Sequence, residues 1–259
     1  MNTHYVEYNT NRTALIKETI LLIRLYVKHK SWKKVSKDVY EDNVLMKNSK
    51  AMKEKIYSIV RKRYISPDSD FEITPFISII NSNLAEKIKM QCIYYEFARN
   101  DPIVFDLVNE VFYSRYKRGF NSISKENIEE FLKAKEKEHS ELKKWAITTR
   151  ARFIRHFLST LKEFEILKGS NIKEFNKPYL TIEAFIYILY SEINQENKRR
   201  DVLSWNIWHI FFLEADDIKI MLRDATKQGH IIFEEKGSVA NITYLHKNLE
   251  AAVNAIARK

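Results

Sequence analysis

The chain has 259 residues, of which 45% are hydrophobic and 30% are charged, so it is long enough to bury a substantial core. Its single cysteine, Cys92, excludes an intrachain disulfide and a zinc site built on paired cysteines. Only 4 Gly and 4 Pro interrupt the chain, which predicts a mainly α fold in which helices pack as a bundle.

The net charge of +10 is concentrated near the start of the chain. Residues 12–64 hold 15 Lys/Arg against 5 Asp/Glu, whereas residues 65–259 carry 29 against 28. A positive excess confined to one segment of an otherwise neutral chain is typical of a surface that binds a polyanion, most often nucleic acid. A solvated helical face without a partner is the alternative interpretation.

The sequence shows no sign of membrane targeting. The N-terminus lacks the charged start and apolar run of a signal peptide. The longest apolar runs, 185–190 and 210–213, are far shorter than the roughly 20 residues that span a bilayer. We therefore expect a cytoplasmic protein with no membrane partner. Its oligomeric state stays open, with a monomer favoured.

The basic segment predicts three helices. They cover residues 14–29, a short stretch from Trp32 after the N-cap Ser31, and residues 50–64 after the N-cap Ser49, with Pro67 ending the third. Cationic side chains fall outside the apolar seams, including a row on the third helix that is formed by Lys50, Lys53, Tyr57 and Arg61. This pattern is typical of a helix-turn-helix unit, although other small helical bundles have similar seams and the turn is longer than usual.

The neutral middle region is also predicted to be helical. Helices are expected over residues 84–98, from Pro102 to a stop at Gly119, after the N-cap Ser124, and from the N-cap Thr148 to Glu163. A small hairpin is expected between residues 165–168 and 179–181, around Gly169.

The helix that begins at Thr148 carries three arginines in its first turns. Arg150, Arg152 and Arg155 oppose the helix dipole there unless an anion is bound, which makes them a second set of candidate phosphate contacts. Ion pairs with acidic neighbours are the alternative. The candidate DNA-binding residues are Lys33, Lys34, Lys37, Lys47, Lys50, Lys53, Arg61, Arg63, Arg150, Arg152 and Arg155.

The C-terminal part has the element order of a winged-helix unit. Helices are predicted at 181–193, 204–213 and 216–228, with a break at Lys198-Arg199-Arg200, and strands at 231–233 and 239–245 form a β-hairpin before a closing helix. The candidate recognition helix carries a cationic row, but local acids outnumber it four to three, so we expect it to be structural or to face protein. The row is Lys219, Arg223 and Lys227, and the acids are Glu214, Asp216, Asp217 and Asp224.

These features divide the chain into three predicted segments. Residues 1–66 form the basic helix-turn-helix unit, residues 67–180 the neutral helical middle region, and residues 181–259 the winged-helix-like unit.

No catalytic motif is found. Phosphate-binding loops, zinc-protease motifs, serine-hydrolase motifs and EF-hand spacing are missing, and no two histidines have metal-ligand spacing. Glu234 and Lys236 match the ExK pattern of metal-dependent nucleases, with aspartates upstream. The lysine falls in the predicted turn, however, and no multi-stranded core surrounds it. We therefore expect a non-enzymatic protein without catalytic residues, metal or cofactor.

The order and spacing of several short motifs resemble the BrxA family of bacteriophage exclusion (BREX) defence systems. The resemblance runs from about Arg12 to Ile193. The matching residues are Ala14-Leu15-Ile16-Lys17-Glu18, Trp32, Asn43, Leu45, Ser49, Arg61, Arg63, Tyr113, Tyr116, Phe131, Trp145, Thr148 and the stretch from Leu161 to Leu167.

The resemblance implies a mostly helical, non-enzymatic protein that binds double-stranded DNA and serves a defence system that blocks phage replication. Two alternatives remain open. One is an adaptor that docks other phage-defence proteins through its helical surface. The other is RNA binding, because basic helical bundles also bind RNA and no aromatic stacking motif is recognised in the sequence.

Overall fold

The computed structural model describes residues 4–5, 13–65, 71–193, 202–236 and 239–258. Within these ranges the fold is mainly helical, as predicted. The α-helices are α1 Ile16–His29, α2 Trp32–Tyr40, α3 Lys50–Tyr64, α4 Pro75–Asn81, α5 Glu86–Asn100, α6 Pro102–Leu107, α7 Ser114–Lys117, α8 Lys125–Lys135, α9 Ile147–Glu163, α10 Ile182–Ile193, α11 Ala215–Lys227 and α12 Leu249–Ala257. The strands are β1 Ser122–Ile123, β2 Leu167–Lys168, β3 Lys173–Phe175, β4 Ile231–Lys236 and β5 Val239–Tyr244.

Three sequence-based features lie outside the described residues. They are the helix stop at Pro67, the break at Lys198-Arg199-Arg200 and the Gly237-Ser238 part of the hairpin turn.

The first three helices form where the sequence predicts them. Helix α3 has the predicted bounds because the Ser49 hydroxyl accepts a hydrogen bond from the Met52 amide at 3.2 Å, which satisfies one free donor of the first turn. The nine residues that connect α2 and α3 use left-handed backbone at Asn43 and Met46, both with φ 51°. Buried Leu45 anchors this connection to the core.

An aromatic cluster around Trp32 joins these three helices. The Trp32 ring stacks on Tyr26 of α1, with ring centroids 4.4 Å apart, and contacts the Tyr57 ring of α3 edge-on at 5.9 Å. The Tyr57 hydroxyl also donates a hydrogen bond to the Trp32 carbonyl oxygen at 2.9 Å. Trp32 is therefore 9% exposed, and its indole is shared by all three helices.

The middle region differs from the predicted helices at two places. The helix from Pro102 to Lys117 contains a π-helical segment at Val108–Tyr113 between α6 and α7. Helix α9 begins at Ile147 with Ala146 as its N-cap, so Thr148 lies inside the first turn and the predicted Thr148 cap is wrong. Helix α8 begins as predicted, since Ser124 and Asn127 form a capping box.

The predicted hairpin near Gly169 has a different partner strand. Strand β2 pairs with Lys173–Phe175 rather than with residues 179–181, and β3 also pairs with β1, which gives the antiparallel order β1-β3-β2. Gly169 allows this tighter turn because its φ is +82° and a Cβ there would lie 2.2 Å from the Ile172 carbonyl oxygen.

The C-terminal helix–hairpin–helix order matches the prediction, with two differences. Residues 206–211 form a 3-10 helix rather than an α-helix. Lys236 is the last residue of β4, paired with Val239, and not a turn residue. The β4–β5 register runs antiparallel from Ile231 opposite Tyr244 to this closing pair.

One buried apolar cluster extends through all three predicted segments. Helix α10, whose residues from Ala184 to Glu192 are all buried, packs on α5 and α12, and α4 packs on both α1 and α12. The division at residues 66 and 180 stays a prediction. Within the described residues, no helix combines the length and apolar character needed to cross a bilayer.

Replacement of Trp32 by alanine tests the aromatic cluster. We expect the free energy of unfolding to fall by about 3–5 kcal/mol, because a buried ring shared by three helices is removed. Urea denaturation followed by circular dichroism measures the loss. Lys33→Ala is the matched control, since Lys33 is the exposed neighbour on the same helix and should change stability by less than about 0.5 kcal/mol. Equal midpoints for the two variants would contradict the assignment.

Candidate nucleic-acid interface

The exposed sides of α2 and α3 carry the candidate interface. We call five of the exposed lysines there the basic face: Lys33, Lys34 and Lys37 of α2 with Lys50 and Lys55 of α3. Among the described residues, Lys33, Lys34, Lys50 and Lys55 form no ion pair. Lys37 lies 3.6 Å from Glu41, but both side chains are more than 60% exposed, so this pair holds the ammonium only weakly.

Most acidic side chains of the basic segment are already paired within the unit. Glu18 binds Lys47 at 2.9 Å, and Asp38 accepts from the His29 ring at 2.7 Å. Together with the Glu41 pair, these contacts occupy three of the five carboxylates in residues 12–64. The lysines of the basic face therefore keep a positive surplus toward solvent.

Two predicted contact lysines are partly committed elsewhere. The Lys47 ammonium ties the α2–α3 connection to α1 through Glu18, and the Lys53 ammonium donates to the Tyr40 carbonyl oxygen at 3.4 Å. Both side chains are half-buried. Lys55, which the sequence analysis did not select, is exposed on α3. Helical periodicity does not single it out, because Lys55 lies one turn before the buried residue Ile59, at the edge of the apolar seam.

The predicted row of Lys50, Lys53, Tyr57 and Arg61 is not a solvent-facing row. Tyr57 is 9% exposed, and the Arg61 guanidinium packs over the Trp32 and Tyr57 rings at 5.7 and 5.8 Å. The row lies at the edge of the apolar seam, where Arg61 covers the aromatic cluster. Arg61 thus contributes to packing as well as to charge.

Arg63 was predicted to contact DNA, and this prediction is wrong because the side chain is buried. It is 6% exposed, and its Nη1 donates to the carbonyl oxygens of Thr13 and Ala14 at 3.1 and 3.4 Å. Its guanidinium also lies 5.1 Å from the Phe97 ring centre. Burial lowers the pKa of Arg63. The role of Arg63 is to join the end of α3 to the chain just before α1.

Arg150 is likewise a structural residue, as the ion-pair alternative predicted. Its guanidinium binds Glu136 at 2.6 Å and Glu129 at 3.4 Å, and it donates to the Leu142 carbonyl oxygen at 2.8 Å. Burial lowers the pKa of Arg150, but the two carboxylates outweigh burial and the net pKa rises. The side chain is 12% exposed and connects α9 to α8.

Arg152 and Arg155 are exposed, and the groove beside Arg155 has a lining of mixed charge. Arg155 lines a groove of about 590 Å³ between α8 and α9 together with three glutamates and three other cations, so the lining has no acidic excess. The basic segment meets α9 at its other end, where the Ala14 amide donates to Glu163 at 2.9 Å. At 1.5 Å rise per residue, this contact lies about 12–17 Å along the helix from the two arginines. That Arg152 and Arg155 share one surface with the basic face stays a prediction.

Carboxylates of the C-terminal unit itself pair with the three cations of its row. The Glu235 carboxylate on β4 binds Lys219 at 2.6 Å and Arg223 at 3.0 Å, and Lys227 binds Asp224 at 2.9 Å. The hydrogen bond from Lys219 is the main cause of the lowered pKa of Glu235. These contacts support the expectation that α11 is structural or faces protein.

The described residues contain no group of three or more His, Cys, Asp or Glu side chains placed to hold a metal ion. Asp217, one of the aspartates upstream of the ExK pattern, instead pairs with Lys177 at 2.6 Å and accepts from the Glu214 amide at 2.9 Å.

Comparison with solved structures identifies a similar fold. The crystal structure of an uncharacterized protein from Magnetospirillum magneticum superposes with a TM-score of 0.63, covering 80% of this chain and 98% of that chain. The identity between the two is 11%, so the similarity concerns the fold alone. No curated protein matches the chain.

Comparison with protein families gives a match that includes the basic face. The BrxA family model matches residues 4–191, which contain helices α1 to α9 and most of α10 and end before the β4–β5 hairpin. The match covers well over half of the 259 residues. The chain therefore belongs to the BrxA family, which implies a role in BREX phage defence.

Proposed function

We propose that this protein is a non-enzymatic, double-stranded DNA-binding component of its defence system, and that the basic face contacts the phosphate backbone. The observation that carries the proposal is the confined surplus of +10 in residues 12–64, combined with four exposed lysines that have no ion-pair partner among the described residues. A surface of this kind attracts phosphates because binding releases the counterions that surround DNA.

The chemistry of the basic face favours low sequence selectivity. The exposed cations of the basic face are all lysines, and an ammonium binds phosphate as a point charge rather than reading base edges through paired hydrogen bonds. The two arginines of α3, Arg61 and Arg63, which are better suited to base recognition, are engaged at Trp32 and at the start of α1. The helix-turn-helix assignment is part of this proposal.

A second candidate function, docking of other defence proteins, is favoured by an apolar patch beside α11. Tyr179 is 76% exposed and Ile220 is 55% exposed, on either side of a shallow groove of about 290 Å³ that also contains Met221. Exposed apolar patches on soluble proteins mark interaction sites. Duplex binding and its salt dependence separate this candidate from the first one, because an adaptor alone requires neither.

The first prediction concerns salt. If about five phosphates are neutralised, the logarithm of the association constant should fall with the logarithm of salt concentration at a slope of about −4 to −5. Fluorescence anisotropy with a labelled 20-base-pair duplex of arbitrary sequence, repeated across salt concentrations, measures the slope. An affinity that is the same at low and physiological salt would rule the proposal out.

The second prediction assigns the contacts to the basic face. Replacing Lys33, Lys34 and Lys50 together by alanine should make the salt slope shallower by about 1 per lysine, because each removes one phosphate contact. The stability of the variant should be unchanged, since all three side chains are exposed. The matched control removes three exposed lysines elsewhere, namely Lys143, Lys144 and Lys247. The same slope change in both variants would show that only net charge matters.

The third prediction separates Arg150 from DNA binding. Arg150→Ala should lower the free energy of unfolding by about 1.5–3 kcal/mol, because charged hydrogen bonds to Glu129 and Glu136 are lost. The salt slope for duplex binding should not change. Arg155→Ala, an exposed arginine on the same helix, is the stability control and should stay within about 0.5 kcal/mol of the parent. A stable Arg150→Ala protein with weakened duplex binding would contradict this role.

A further inference from the structure

The turn that ends α7 places a half-exposed aromatic ring among cations. Gly119, with φ +81°, donates to the Tyr116 carbonyl oxygen at 2.9 Å, and the Phe120 amide donates to the Arg115 carbonyl oxygen at 3.1 Å. This pair of bonds is a Schellman motif, in which the residue after the glycine usually packs on an apolar side chain of the last helical turn. Here that residue is Phe120, 46% exposed, and its partner is Arg115.

Two guanidinium groups lie on this ring. The Arg115 guanidinium carbon is 4.2 Å from the Phe120 ring centre and that of Arg118 is 5.6 Å away. Arg118 is further positioned by a hydrogen bond from its Nε to the Ser114 carbonyl oxygen at 3.1 Å. Neither arginine forms an ion pair with any carboxylate of the described residues, and the buried Arg115 Nε has no hydrogen-bond partner there.

The surrounding sequence adds positive charge. Residues 111–125 contain Arg115, Lys117, Arg118 and Lys125 and no acidic residue. Acids also approach from other elements. Glu214 lies 3.6 Å from Lys117, but both side chains are over 40% exposed and the pair is weak, and Glu174 of β3 lies opposite Ser122 in the strand register. Within the part of the chain that the structure describes, the two guanidiniums on this half-exposed ring therefore have no carboxylate paired with them.

A ligand that satisfies this site needs both anionic groups and flat aromatic faces. Guanidinium planes and phenylalanine rings stack on nucleobases, and guanidinium and ammonium groups bind phosphates. A duplex hides its base faces, so only unpaired nucleotides offer both chemistries at once. We propose that the turn formed by residues 114–121, the Phe120 turn, binds single-stranded nucleic acid. A base stacks on the layer of Phe120, Arg115 and Arg118, while Lys117 and Lys125 attract the phosphates.

The test uses the full chain carrying the Lys33, Lys34 and Lys50 to alanine changes, so that the basic face contributes little. Its probe is fluorescein-labelled (dT)12, measured by anisotropy, beside an abasic strand of the same length that has phosphates but no bases. Phe120→Leu should weaken (dT)12 binding by about fivefold to a hundredfold, the effect of losing one stacked base, and leave the abasic strand unchanged. Phe120→Tyr, which keeps the ring, should retain the affinity for (dT)12.

The controls distinguish stacking from general charge. Replacing Arg115 and Arg118 by glutamine should weaken both strands, and Ile172→Ala, a change at a 65% exposed apolar residue, should weaken neither. Comparison of (rU)12 with (dT)12 identifies whether RNA or DNA is the better source of the same chemistry. Equal affinity of the Phe120→Leu and parent proteins for (dT)12, or no preference of the parent for (dT)12 over the abasic strand, would overturn the proposal. Neither of these two results bears on duplex binding by the unmodified basic face, which is tested separately.

Discussion

The contact of Trp32 with Tyr26 and Tyr57 is the interaction on which the basic face depends. It fixes α2 against α1 and α3, with ring centroids 4.4 and 5.9 Å apart, and it places the indole on the inner side of α2. Because a helix that buries one side exposes the other, the same contact leaves Lys33 and Lys34 in solvent. The exposed position of the lysines is thus a consequence of aromatic packing.

Arginine and lysine have separate roles in this chain. Arg63 binds backbone carbonyl oxygens, Arg150 binds two glutamates, and Arg61 covers the Trp32 ring. A planar guanidinium is weakly hydrated and presents several donors, so it is stable at partly buried positions of this kind, whereas the strongly hydrated ammonium stays at the surface. The surface presented to a partner by α2 and α3 is therefore mainly lysine. Exceptions are Arg152 and Arg155, which are exposed on α9, and the two arginines of the turn after α7, which lie on a half-exposed ring.

Features set by neighbouring residues were predictable from the sequence, and features set by distant residues were not. The bounds of α3 and the presence of the β4–β5 hairpin follow from local caps and strand patterns, and the structure confirms both, although β4 extends to Lys236. The burial of Arg63 depends on carbonyl groups about fifty residues earlier in the chain, and the β2–β3–β1 pairing brings in Ser122 from a separate segment. Contacts between residues so far apart in the chain cannot be recognised from helical periodicity or from capping residues.

The prediction of the site residues was limited because charge was averaged over long segments and over two different residue types. Charge summed over residues 65–259 is nearly neutral, and this conceals the acid-free stretch 111–125. Counting Lys and Arg alike also placed buried Arg63 beside exposed Lys50 as equal candidates. A shorter charge window, read together with the distance of each cation from the apolar seam, separates the exposed lysines from the buried arginine and points to the Phe120 turn.

Lysine reactivity mapped by mass spectrometry tests the central claim most directly. The protein is acetylated under limiting reagent with and without excess duplex DNA at low salt, and protection is measured at each lysine. The account predicts strong protection of Lys33, Lys34 and Lys50 and little change at Lys219 and Lys227, which carboxylates already bind. Uniform protection of all surface lysines, or protection centred on α11 with the basic face unprotected, would contradict it.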